Sequence, residues 1–108
     1  MQITLLYFDG CPSWQAADAR LRQALRLAGV VDAEVAYRKV ETPEEAARLS
    51  FRGSPTLLID GEDPFADETA PVGLSCRIYQ AASGPAGAPT VDQLHEVLRR
   101  RQEGPAEA

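Results

Sequence analysis

Apolar residues in this chain fall into runs whose spacing changes along its length, and each change marks an expected element. Ile3-Thr4-Leu5-Leu6-Tyr7-Phe8 is nearly all apolar with β-branched and aromatic members, the pattern of an interior strand covered on both faces. Beyond Phe8-Asp9-Gly10-Cys11-Pro12-Ser13-Trp14 the period becomes helical. Ala17, Leu21, Ala24, Leu25 and Ala28 recur on one face, with Asp18, Arg20, Arg22, Gln23 and Arg26 mostly opposite, and Gly29 supplies the stop. Residues 33–40 mix apolar and charged side chains, as in a less buried strand. Strand, long helix and strand make a βαβ unit, which requires parallel strands and a right-handed crossover. Thr42-Pro43-Glu44-Glu45 reads as a capping box opening a short helix to about Ser50.

The second half is less regular. Residues 56–59 predict a strand headed by Pro55, where a missing donor is harmless or the peptide is cis. Asp60-Gly61 then predicts a hairpin turn. Residues 62–73 have no periodicity and are rich in acids and prolines, so they read as a lid or as a mobile loop. Residues 76–79 are expected to be the returning strand and 81–89 a Gly/Pro/Ala/Ser linker. Thr90-Val91-Asp92-Gln93 forms a second capping box, and Val91, Leu94, Val97 and Leu98 stripe the last helix. The expectation is one α/β domain over residues 1–103, in the order β-α-β-α-β-β-α, with 104–108 a flexible tail.

Size and charge narrow the function classes. A chain of 108 residues supports a single modest core. Its net charge of -5 argues against a nucleic-acid binder, which would carry a basic patch. Arg99-Arg100-Arg101 lies at an expected helix end, where cations complement the helix dipole. No apolar run is long enough to cross a bilayer, and Met1-Gln2-Ile3-Thr4 does not open a secretory signal, so a cytoplasmic location without membrane partners is expected. There two cysteines point to reactive or metal-binding thiols rather than a structural staple.

The chemistry is expected at Cys11. A cysteine between a strand and a helix N-terminus faces unpaired backbone N–H groups and the positive end of the helix dipole, both of which favour thiolate. Pro12 suits the first helical turn, where it sacrifices no needed donor. The plainer reading is a small buried cysteine at a helix cap. Asp9 would raise the thiol pKa if it faced the sulfur; as a turn residue it would cap the loop backbone instead. His95, beside Leu94 and Leu98, reads as a boundary residue. No zinc knuckle, phosphate loop, serine-nucleophile elbow or dinucleotide fingerprint is present, so neither a metal site nor a cofactor is expected. Cys76 stands open. With a tight hairpin it would lie far from Cys11, beyond disulfide reach; with the acidic loop folded back over the sheet edge, the two would come together.

Cys11-Pro12 at the first strand-to-helix turn and Ser54-Pro55-Thr56 opening a later strand together resemble the thioredoxin-like superfamily in its minimal, glutaredoxin-sized form. The resemblance covers nearly the whole chain. It implies a four-stranded mixed sheet with helices on both faces, Cys11 as nucleophile, and a cis Pro55 beside it whose preceding backbone can pair with an extended substrate. Pro12, Trp14, Ser54, Pro55 and Thr56 would then border the substrate. The resolving cysteine of that family would fall at Trp14, so the motif here is Cys-Pro-Ser-Trp. Cys11 would then act as a monothiol resolved by glutathione or a protein thiol, would pair with Cys76, or would have left redox chemistry behind.

The wider pattern, with Gly-Ser-Pro-Thr, Asp-Pro-Phe and Gly-Leu-Ser-Cys-Arg, is similar to small bacterial proteins labelled thioredoxin-family or alkylmercury-lyase-like. The lyase resemblance implies organomercurial or soft-metal chemistry by Cys11 and Cys76, with Asp9 as the nearby acid; in the lyases the acid follows the cysteine, where this chain has Trp14. Thiol–disulfide exchange is the leading expectation. Mercury chemistry and a non-catalytic module binding a partner at the Pro55 edge are the alternatives.

Overall fold

The computed structural model of the protein describes residues 1–103; the expected tail, 104–108, lies outside the described residues. Strand β1 (Gln2–Tyr7) is central in a three-stranded mixed sheet of order β2-β1-β3. It pairs in parallel with β2 (Glu34–Lys39) and antiparallel with β3 (Thr56–Ile59). The side-chain alternation of a strand divides β1 between two cores. Ile3 and Leu5, opposite Ile59 and Leu57, face helix α1 (Ser13–Ala28) and helix α3 (Val91–Glu103), where Leu21, Ala24, Leu94 and Leu98 are buried with them. Leu6 faces the other way, onto Val40, Phe51 and Ala46 of helix α2 (Pro43–Leu49). The sheet therefore has helices on both faces, α1 and α3 on one and α2 on the other.

The local signals act as the sequence requires. Thr42 Oγ1 accepts from Glu45 N–H at 3.0 Å, and Glu45 returns a carboxylate oxygen to Glu41 N–H at 3.0 Å. Thr90 and Gln93 complete the second box reciprocally, at 2.9 and 3.1 Å. Gly29 closes α1 in the left-handed region at φ 71°.

Two expectations are corrected. The expected four-stranded sheet has three strands: after β3 the chain turns at Asp60-Gly61 and makes only an isolated bridge between Ile59 and Glu62. No further strand joins that sheet, and the expected strand over 76–79 begins only at Tyr79. The expected linker contains a strand. β4 (Tyr79–Ala81) and β5 (Gly84–Ala86) form a separate antiparallel hairpin. Gln93 Nε2 donates to Gln80 O at 2.7 Å, which ties the hairpin to α3. No helix among the described residues is long and apolar enough to cross a membrane.

Candidate functional site

Cys11 and Cys76, separated by 65 residues, are joined in a disulfide with their Cα atoms 5.6 Å apart, inside the ordinary span for such a bond. Of the two arrangements open to Cys76, the chain adopts the folded-back one. The acidic loop returns the chain beside residues 51–54, and residues 73–77 run parallel to them. Gly73 N–H donates to Phe51 O, Ser54 N–H to Ser75 O, and Arg77 N–H to Ser54 O, at 3.0, 2.8 and 3.0 Å.

Ser54 connects the two cysteine segments. Its backbone holds Ser75 and Arg77, while its hydroxyl accepts from Phe8 N–H at 3.0 Å; Phe8 O in turn accepts from Cys11 N–H at 3.0 Å. Ser54, Pro55 and Thr56 are all buried, and the Ser54–Pro55 peptide is cis. Gly53 makes the close approach possible. At φ +118° it stands where L side chains are rare, and an added Cβ would lie 2.9–3.0 Å from Arg77 Cβ, Cα and N.

Arg77, 6 % exposed, anchors the returning segment. Its guanidinium donates to Asp63 Oδ2 at 2.7 Å, to Thr56 Oγ1 at 3.2 Å and to Phe65 O, and lies 4.7 Å over the Tyr79 ring. Thr56 donates its own hydroxyl hydrogen bond to Gly53 O at 2.7 Å, so its hydroxyl acts as donor and acceptor at once. Tyr79 donates its hydroxyl to Pro55 O, and burial pushes this phenol well above its ordinary pKa, against the opposing pull of Arg77. It therefore remains a donor at any ordinary pH. Neither Arg77 nor Tyr79 is singled out by the sequence pattern. The available signal was the Arg immediately after Cys76, present in the Gly-Leu-Ser-Cys-Arg stretch but given no role there.

The two sulfurs sit in unequal surroundings. Cys11 is 2 % exposed and directly precedes Pro12, the N-cap residue of α1; no acidic residue occupies the first turn of that helix. Asp9 is bound to Lys39 Nζ at 2.6 Å, and this contact holds the Lys39 ammonium above its usual pKa. Asp9 is thus a turn residue whose charge is matched. Cys76 is exposed and forms part of the wall of a cavity of about 660 Å³ between residues 65–71 and 75–80. Trp14 stacks on Tyr7 with ring centroids 4.4 Å apart, packed against the α1–α3 core.

Chemically, the arrangement is a disulfide between one buried and one exposed cysteine, the buried one directly before the N-cap residue of α1. No protein-family model, curated protein or solved structure matches this chain.

Proposed function

We propose that the protein is a thioredoxin-like thiol–disulfide exchange protein in which Cys11 and Cys76 cycle between disulfide and dithiol. The observation that carries this reading is the Cys11–Cys76 bond itself, formed at the strand-to-helix turn where a thiolate is stabilised. The parallel β1–β2 pair, antiparallel β3 and cis Pro55 support the thioredoxin-like assignment. Cys76 supplies the second thiol that Trp14 does not, so a paired mechanism is preferred over a monothiol one.

The other readings have less support. Organomercurial cleavage needs a proton donor beside the thiolates, and the acid on the Cys11 turn is ion-paired with Lys39. A module that captures a partner strand at the Pro55 edge needs free backbone there, whereas Ser54 N–H and C=O are paired with the chain's own Ser75 and Arg77.

Equilibration in glutathione redox buffers, followed by acid quench and mass spectrometry of alkylated thiols, tests the proposal. A midpoint within the span of known exchange proteins, about −120 to −270 mV, is expected. A midpoint below about −300 mV would mark a structural bridge and end the proposal.

A further inference from the structure

We infer that an outside thiol enters at Cys76 Sγ, with Cys11 departing as the thiolate, and that the cavity beside Cys76 receives a small-molecule thiol. This rests on the exchange reading above. It assigns the entry role to the cysteine late in the chain and the leaving role to the one at the helix.

Two separate features lead there. The first is access. Cys11 is 2 % exposed and is not among the residues lining the cavity, whereas Cys76 is exposed and lines it. A volume of about 660 Å³ falls within the range typical of small-ligand pockets, about 300–1,000 Å³. Phe65, Pro71 and Ile78 give the cavity apolar walls, while Arg52 and Gln93 contribute polar ones.

The second feature is the leaving group. In exchange, the sulfur with the lower thiol pKa leaves faster. Cys11 lies one residue before the N-cap of a sixteen-residue helix with no acid in its first turn, whereas Cys76 lies in a non-helical segment. The helix dipole therefore favours charge developing on Cys11 Sγ and gives no such help to Cys76. Access and leaving-group ability select the same direction.

The step balances as follows. The incoming thiol, having lost its proton to solvent, forms one S–S bond to Cys76 as the Cys11–Cys76 bond breaks, and the bonding pair departs on Cys11 Sγ. A second thiolate then attacks the small molecule's sulfur in the mixed disulfide and releases Cys76 as thiolate. Two small thiols are oxidised to their disulfide, and the protein disulfide is reduced to two thiols.

Glutathione is a suitable probe. Oxidised full-length protein is mixed with it, quenched in acid at short times, alkylated and peptide-mapped. The glutathione adduct is expected on Cys76, with Cys11 carrying the alkyl label. In parallel, alkylation of Cys11 in Cys76→Ser should lose rate only at lower pH than alkylation of Cys76 in Cys11→Ser, as the departing sulfur is the more acidic of the two. An adduct on Cys11, or a Cys11 that is the less acidic thiol, overturns the direction and leaves exchange standing. If neither cysteine acquires glutathione and the disulfide also stays unreduced at high glutathione, the exchange reading fails and this inference with it.

Discussion

At the residue scale, the smallest side chain near the site carries one of the strictest requirements. Gly53 has φ +118°, and a methyl group there would press on the Arg77 backbone at 3.0 Å and on its Cβ at 2.9 Å. Backbone cannot swing aside as a flexible side chain can, so Gly53→Ala must displace residues 75–77 or strain its own dihedrals, at a cost of about 1–3 kcal/mol. Displacement would weaken the two hydrogen bonds by which Ser54 holds Ser75 and Arg77 and draw Cys76 away from Cys11. The expected outcome is a folded protein of lowered melting temperature that retains free thiols under air oxidation, counted by thiol titration. A Gly53→Ala protein that oxidises as fully and as fast as the parent would show that the close approach is not what brings the cysteines together. Ser54 is stricter in another way. All three of its polar groups are used within the fold, its hydroxyl toward Phe8 and its backbone toward residues 75 and 77, so its role is to join the two cysteine segments.

At the element scale, the helices and the main sheet stand on local signals that act independently of the site. The α2 capping box shows this, and it makes stability sensitive to acid. Glu45 accepts from Glu41 N–H, and that hydrogen bond, aided by Arg38, holds its carboxyl below its ordinary value of 4.5. A carboxyl with a depressed folded-state pKa contributes stability above its unfolded value and loses it as pH falls through the folded one. The first turn of α2 should therefore loosen as pH drops below 4.5, read as faster amide exchange at Glu41 and Glu45, after correction for the intrinsic pH dependence of exchange. Glu45→Gln should remove that dependence; its persistence would place the acid sensitivity elsewhere. Such signals explain why six elements were legible in the sequence. Period, caps and turn residues mark β1, α1, β2, α2, β3 and α3, and Cys11 and Pro55 were marked by their places between them. The β4–β5 hairpin was not legible, because residues 81–89 contain no β-branched or aromatic residue to signal a strand. Contacts made elsewhere hold it in place. Arg20 Nη1 donates to Pro89 O at 3.2 Å, Gln93 reaches Gln80 O, and Gly87 lies so close to Ser13 that a Cβ would collide with it. The route of residues 62–73 was hidden because it is set by distant contacts, Arg77 with Asp63 and Phe65 and Gly73 with Phe51, and with it the partner of Cys76.

At the scale of the whole molecule, the disulfide and the Arg77 network are two constraints on one loop. Joining residues 65 apart removes chain entropy from the unfolded state worth about 4 kcal/mol in the loop-closure view. By linkage, the stabilisation is RT times the logarithm of the ratio of the effective concentrations of one thiol at the other in the folded and unfolded chains, so anything that pins Cys76 in the folded dithiol form increases it. Arg77 is that pin, since its guanidinium fastens the Cys76 segment to Asp63, Thr56 and Phe65 without using the sulfurs. If the network persists on reduction, Cys76 stays beside Cys11 and reoxidation is fast. Arg77→Met keeps most of the buried volume and removes every guanidinium donor while leaving the backbone N–H of residue 77 on Ser54 O, and Asp63, at 22 % side-chain exposure, can hydrate in the altered protein. The variant should show at least a tenfold lower effective concentration in glutathione buffers. By linkage, the stability difference between its oxidised and reduced forms should shrink by about 1.4 kcal/mol, the energy of a tenfold change. The two measurements are independent, one a redox equilibrium and the other a pair of denaturant titrations, and they must agree if the network acts through loop position. A lowered effective concentration with an unchanged stability difference would mean that the substitution lowers it equally in the unfolded chain, and no change in either would show that the guanidinium is not what pins Cys76.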